Sequence, residues 1–320
     1  MRLTLDELYT SPDHYLHSFD RENAIFVPMD RAAYHRSIFL DHRISPAAAQ
    51  TMTLPVATIA GGIRAPQPTS WIFHMGHVGS TLLARALDDP GASLVLREPL
   101  ALGQLGVEPD DRRLAIVTAM LGKRYRADAP TLVKANVPVN FLLPKLAAME
   151  PNARSILLYL PLRDYLLAML RDDNHRNSLR NVTGFLFRYL GNLSALSDAE
   201  RAAALWLAQV NAFAAAVAAL PNARALNAEL FFAEPEAVLN ATAPHLGVPI
   251  APKEIASVVA GDLFSRHAKN PALAFDNAQR VARRQELEHA LLNELDAAEK
   301  WIAERAAAAQ SALAAARLIR

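Results

Sequence analysis

Trp71-Ile72-Phe73-His74-Met75-Gly76-His77-Val78-Gly79-Ser80-Thr81-Leu82-Leu83-Ala84-Arg85 is the most informative stretch of the chain. An apolar run of strand type, Trp71–Met75, meets Gly-x-x-Gly-Ser-Thr, and an apolar helical run follows at once. The two glycines free the backbone for a tight turn whose N–H groups converge on an anion. The helix start adds partial positive charge, and Ser80 and Thr81 add hydroxyl donors. An ordinary strand–helix turn would use the same residue types as caps. The strand–turn–helix context favours a phosphate cradle built from Gly76, His77, Val78, Gly79, Ser80 and Thr81. The nucleotide-hydrolysing loop needs a Lys after its last Gly. Ser80 stands there, which disfavours an ATP- or GTP-dependent enzyme.

Outward from the cradle, short apolar runs alternate with helical stretches. The pattern predicts strands at Trp71–Met75, Ser93–Arg97, Thr131–Lys134, Ser155–Leu160 and Ala223–Asn227. Helices are predicted at Ser80–Leu87, Asp111–Arg124, Asn140–Met149, Arg163–Arg171, Asn181–Leu190 and Asp198–Leu220. Strands separated by helices pair in parallel through right-handed crossovers. The expected fold is therefore α/β, three-layered, with a central parallel sheet flanked by helices. An N-terminal extension (1–68), a core (69–275) and one long C-terminal helix (276–320) complete the expected organisation. In the tail, Leu287, Leu291, Leu295, Ala298 and Ile302 recur at helical spacing. That stripe suits packing on the chain's own core, with a homodimer seam as the alternative. Residues 1–60 read as a short helical start followed by an irregular stretch broken by Pro46 and Pro55.

Composition narrows the function classes. The 320 residues are 52% hydrophobic, enough for a sizeable core, and 33 basic against 32 acidic residues leave a net charge of +1. A strongly electrostatic partner such as nucleic acid or a membrane surface is not expected from that balance. There is no cysteine, which removes disulfides, thiolate metal sites and cysteine nucleophiles. No secretory signal is visible, and the longest strongly apolar stretch, Ala212–Leu220, is far short of a span, so a cytoplasmic protein is expected. His14, His17, His35 and His42 lack ligand-like partners, and no metal site is expected. His74 reads as a satisfied core or rim histidine. Arg171, Arg176 and Arg180, interleaved with acids, read as a surface helix end.

Four segments in order resemble the sulfotransferase family, which uses 3′-phosphoadenosine 5′-phosphosulfate (PAPS). They span roughly residues 70–250. The cradle with Thr81-Leu82-Leu83 is similar to the family's 5′-phosphosulfate loop, Pro-(Lys or Arg)-Ser-Gly-Thr-Thr. Leu132-Val133-Lys134-Ala135-Asn136-Val137-Pro138 followed by Leu142-Leu143-Pro144 is similar to the family's Ile-Lys-Thr-His-Leu-Pro segment. Asn152–Tyr159 with Arg163-Asp164 resembles the strand and helix that hold the 3′-phosphate. Leu226–Leu230, Glu234-Pro235 and His245–Val248 resemble the family's late Tyr-Glu-Asp-Leu segment. His77 stands where the family carries a Lys or Arg, Asn136 where one branch carries a catalytic His, and Leu160 and Ala168 where an Arg and a Ser bind the 3′-phosphate.

The resemblance implies a transferase that moves a sulfuryl group from PAPS to a hydroxyl or amine acceptor without a metal. A small molecule, a carbohydrate or a peptide would supply the acceptor. Lys134 and His77 would neutralise the transfer, and Arg163 would be the nearest substitute for the missing 3′-phosphate ligands. Glu98, directly after the second predicted strand where α/β sheets place ligand contacts, is the expected general base. Several branches carry a Glu in a similar place. The basic loop Phe264–Pro271 brings Arg266 and Lys269 as further nucleotide contacts. A kinase-like phosphoryl transferase using ATP and Mg²⁺, or a non-catalytic nucleotide-binding scaffold, is the alternative.

Overall fold

The computed structural model describes residues 3–303 and 307–319. Its centre is a five-stranded parallel sheet in the order β5-β6-β4-β7-β8, where β4 is Thr69–His74, β5 Val95–Arg97, β6 Thr131–Lys134, β7 Arg154–Tyr159 and β8 Ala223–Asn227. Every residue of β4, β5 and β6 is buried. Helices cover both faces, so these strands are written as near-continuous apolar runs rather than alternating ones. The chain leaves β4 for the edge strand β5, returns to β6, then crosses to β7 and β8. The carboxyl end of β4 therefore lies where successive connections diverge, and open α/β sheets hold ligands there.

The core helix Asp198–Ala219 starts with a capping box: Ser197 Oγ accepts from the Glu200 N–H, and the Glu200 carboxylate accepts from the Ser197 N–H. Leu205, Trp206, Val210 and Phe213 are buried on it, and the Trp206 indole N–H donates to the Leu160 carbonyl at 2.9 Å. By length and composition alone this 22-residue helix is apolar enough to cross a membrane. The sequence reading, which counted only the Ala-rich end, missed that property. In this fold the helix packs against the flanking helices and the final segment of the chain.

Two regions depart from expectation. The N-terminal stretch forms a three-stranded antiparallel sheet, β1 (His14–Asp20), β2 (Asn23–Pro28) and β3 (Met52–Pro55), rather than an irregular segment. A register shift between Leu16 and Ser18 breaks the alternation that would have announced β1. A buried arginine ties the segment after β2 to the core. Arg97 bonds Asp88 (2.5 Å) and the carbonyls of Tyr34 (2.7 Å), His35 (3.0 Å) and Ser37 (2.5 Å), while Asp88 also meets Arg31 at 3.2 Å. The tail is helical over Asn277–Ala290, Leu292–Ile302 and Ala307–Ala315, with a break at Leu291, so it is not one continuous helix; 304–306 and 320 of the expected helix lie outside the described residues. The break at Leu291 lets the first piece lie along the mouth of a cleft while Leu295, Ala298 and Ile302 bury in the core of the same chain.

Candidate active site

At the carboxyl ends of the strands lies a cleft of about 810 Å³, bordered by the cradle, Glu98, Asn136, Glu229, the hairpin β9 (Arg266–His267) and β10 (Asn270–Ala274), and the helix Asn277–Ala290. All six predicted cradle residues line it. The turn runs through the left-handed region at His77 (φ 64°) and Gly79 (φ 72°), and the helix Ser80–Ala86 begins with no side-chain cap. Its first N–H groups are therefore left without the side-chain acceptor that usually satisfies them. Thr81 Oγ1, buried on the cleft wall, has no hydrogen-bond partner, and neither do His74 Nε2 and Asn136 Oδ1. Three orphaned polar atoms around one cavity mark a place prepared for a polar ligand, because an unpaired buried polar group costs about 1–3 kcal/mol.

Glu98 and Lys134, to which the sequence reading gave separate roles, form an ion pair in unequal positions. Glu98 lines the cleft; Lys134 is fully buried and reaches the cleft only through its ion pair with Glu98 Oε1. Burial pushes the Glu98 carboxyl up, yet the charge and hydrogen bond of Lys134, together with His74 and Lys269, hold the group below the usual carboxylate range. Glu98 has φ 55°, a conformation costly for a side chain with a Cβ. Anchors on either side impose it: the Arg97 network before it, and its own N–H donating to the Lys134 carbonyl at 2.7 Å. Two of the three non-glycine residues with positive φ among the described residues, His77 and Glu98, are thus cleft residues.

His77 packs its ring 4.6 Å from that of His175. Arg171 donates to His175 Nε2, so His175 Nδ1–H donates to Asp172 at 2.6 Å. Arg171 and His175 line the cleft, whereas Arg176 and Arg180 pair with Asp198 and Glu294 outside it, as the surface helix end that the sequence suggested. Burial, then the charges of Lys269, His175 and Arg171, push His77 down to about 3. Without an anion beside it, His77 is therefore held in its neutral form. Lys269 and Arg266 both line the cleft from the hairpin, which Arg85 fastens to the cradle helix by donating to the Ala268 carbonyl at 2.9 Å. No described residue offers Lys269 a hydrogen bond or an ion pair, and burial draws its ammonium down.

Arg163 lies elsewhere. It binds Glu288 (2.6 Å), Glu299 (3.1 Å) and Asp296 (3.6 Å) on the tail helices and does not line the cleft. Leu160 and Ala168 do line it as apolar wall. The guanidiniums that border this end are Arg280, Arg283 and Arg284, which sequence reading missed. Arg280 grips Glu229 through two bonds (2.9 and 2.8 Å) and lies 4.3 Å over the Phe232 ring, and Arg284 pairs with Asp164 and Glu229. Their spacing, i, i+3 and i+4 on one helix face, was the available signal.

Two buried histidines give the fold a pH signature. Burial and the Lys134 charge push His74 to about 3, as burial and Lys269 do His77. The unfolded chain, with histidines near 6.5, binds more protons between these values. Stability should therefore fall as pH drops from about 6.5 toward 3. Urea unfolding at about pH 7 and about pH 5 checks this: the midpoint should drop in acid, and His77→Asn should narrow the drop. An undiminished drop in that variant would contradict the assignment.

No protein-family model matches the sequence, and no curated protein matches it. Two solved structures are similar in fold. One is the sulfotransferase domain from the curacin biosynthetic pathway, at 14% identity and a TM-score of 0.44, covering 71% of this chain and 98% of that one. The other is a sulfotransferase from Alicyclobacillus acidocaldarius, at 13% identity and a TM-score of 0.40, covering 76% and 99%. Both neighbours are sulfotransferases.

Proposed function

We propose that the protein transfers a sulfuryl group from PAPS to a hydroxyl or amine acceptor, without a metal. The observation that carries the reading is the cradle at the end of β4. It is an uncapped, left-handed Gly-x-x-Gly-Ser-Thr turn with the orphaned Thr81 hydroxyl beside it, facing Lys269, Arg171 and Arg266 but holding no loop lysine for a nucleoside triphosphate. A 5′-phosphosulfate suits that cradle because its charge is met by backbone N–H groups and by Lys269, to which no described residue offers a hydrogen bond. Anion binding would also raise the His77 pKa, so that an imidazolium becomes available where the leaving oxygen gathers charge.

The sheet order divides the cleft. On the β7–β8 side, Phe232, Phe275 and the arginines of Asn277–Ala290 suit a nucleoside and its 3′-phosphate, replacing the apolar Leu160 and Ala168. On the β5–β6 side, Glu98, Asn136, Val137 and Pro138 suit the acceptor. Glu98, kept ionised by Lys134, sets its negative charge beside the acceptor group. Incubation with sulfur-labelled PAPS, a panel of phenolic, sugar and peptide hydroxyls and excess chelator tests the reading. Label should move to at least one acceptor class; label transfer that requires Mg²⁺, or ATP consumption in its place, would overturn it.

A further inference from the structure

We infer that His74 is the group that takes the acceptor's proton, an assignment that rests on the sulfuryl-transfer reading. His74 is the last residue of β4, 5% exposed, and lines the cleft directly beside the cradle. Its Nδ1–H donates to the Met75 carbonyl at 2.7 Å, which fixes the tautomer and leaves Nε2 with a bare lone pair. That atom is buried, and no described residue offers it a hydrogen bond. The Glu98 carboxylate lies near it, with Oε1 at 3.9 Å, too far for a hydrogen bond and close enough to balance a charge on the ring. The backbone beneath is held as well: Asn140 Nδ2 donates to the His74 carbonyl at 3.0 Å and to Gln209 Oε1 at 3.1 Å.

The division of labour follows from the neighbours. Glu98 is already paired with Lys134, so a proton placed on it would have to displace an ion pair. His74 Nε2 has nothing to displace. The acceptor oxygen's lone pair forms the new O–S bond as the bond from sulfur to the bridging phosphate oxygen breaks, and that electron pair leaves on the nucleotide's 5′-phosphate. The acceptor's O–H proton passes to His74 Nε2, and the Glu98 carboxylate balances the imidazolium. Burial, then the charges of Lys134 and Lys269, disfavour a proton on His74 in the free protein, and the anionic donor offsets the two lysine charges while Glu98 favours the imidazolium.

His74→Asn isolates the role. Its amide can still donate to the Met75 carbonyl, but nothing remains at the Nε2 position. The readouts are adenosine 3′,5′-bisphosphate binding by calorimetry, bisphosphate release from PAPS with water as acceptor, and recovery by added imidazole in His74→Ala. We expect bisphosphate affinity within about threefold of wild type, release down about 10²-fold or more, and partial recovery with imidazole. Unchanged release in His74→Asn, or release and binding lost in parallel, would overturn the assignment. So would a wild-type protein that binds the bisphosphate yet releases none from PAPS. A wild-type protein that does not bind the bisphosphate would instead remove the transferase reading, and this assignment with it.

Discussion

Glu98→Gln lowers turnover about 10²-fold or more while leaving bisphosphate affinity within a few-fold, because the amide cannot balance a charge that appears only during transfer. The same substitution destabilises the fold. It strands the ammonium of Lys134, which is fully buried, and breaking a buried pair from one side typically costs about 3–5 kcal/mol. The amide oxygen still accepts a hydrogen bond, so the lower end of that range is expected. The double variant Glu98→Gln/Lys134→Met separates the two effects. It should regain most of the lost stability in urea unfolding and none of the turnover. Recovery of both together would mean that Glu98 serves only to hold Lys134.

Gly79→Ala is the second large effect, and it acts on the cradle. Gly79 sits at φ 72°, which costs an L-residue roughly 1–2 kcal/mol. A Cβ there would also lie 2.6 Å from Phe232 Cζ, so the ring must move. Phe232 is held by Arg280 over its face and by its carbonyl accepting from Asn277 Nδ2 at 3.2 Å, so the shift spreads to the helix Asn277–Ala290. Bisphosphate affinity should fall at least about tenfold, or 1.4 kcal/mol, with a matching drop in unfolding midpoint. Affinity equal to wild type would show that the anion does not sit in this turn.

The sheet was legible because buried parallel strands are short apolar runs between turn residues. Thr131–Lys134 and Ala223–Asn227 are found at the predicted residues, and Ser155–Leu160 shifts by one. The N-terminal sheet was not legible, since β1 mixes His, Ser and Asp with a register shift and β3 joins only after a long excursion. At the site, Gly76–Thr81 and Glu98 follow from local pattern, because a turn and a strand end are local features. Three facts are tertiary and leave no local trace. Lys134 lies behind Glu98, Arg163 turns toward acids more than 120 positions away, and His74 Nε2 finds no partner. Arg280 and Arg284 belong to the same class, since only the break at Leu291 brings their helix to the cleft.

Calorimetric titration of the protein with adenosine 3′,5′-bisphosphate, beside ATP and with and without Mg²⁺, tests the central claim most directly. The account predicts roughly micromolar binding of the bisphosphate, about −8 kcal/mol, unchanged by Mg²⁺, with ATP far weaker. Tight Mg²⁺-dependent binding of ATP, or no binding of the bisphosphate, would contradict it.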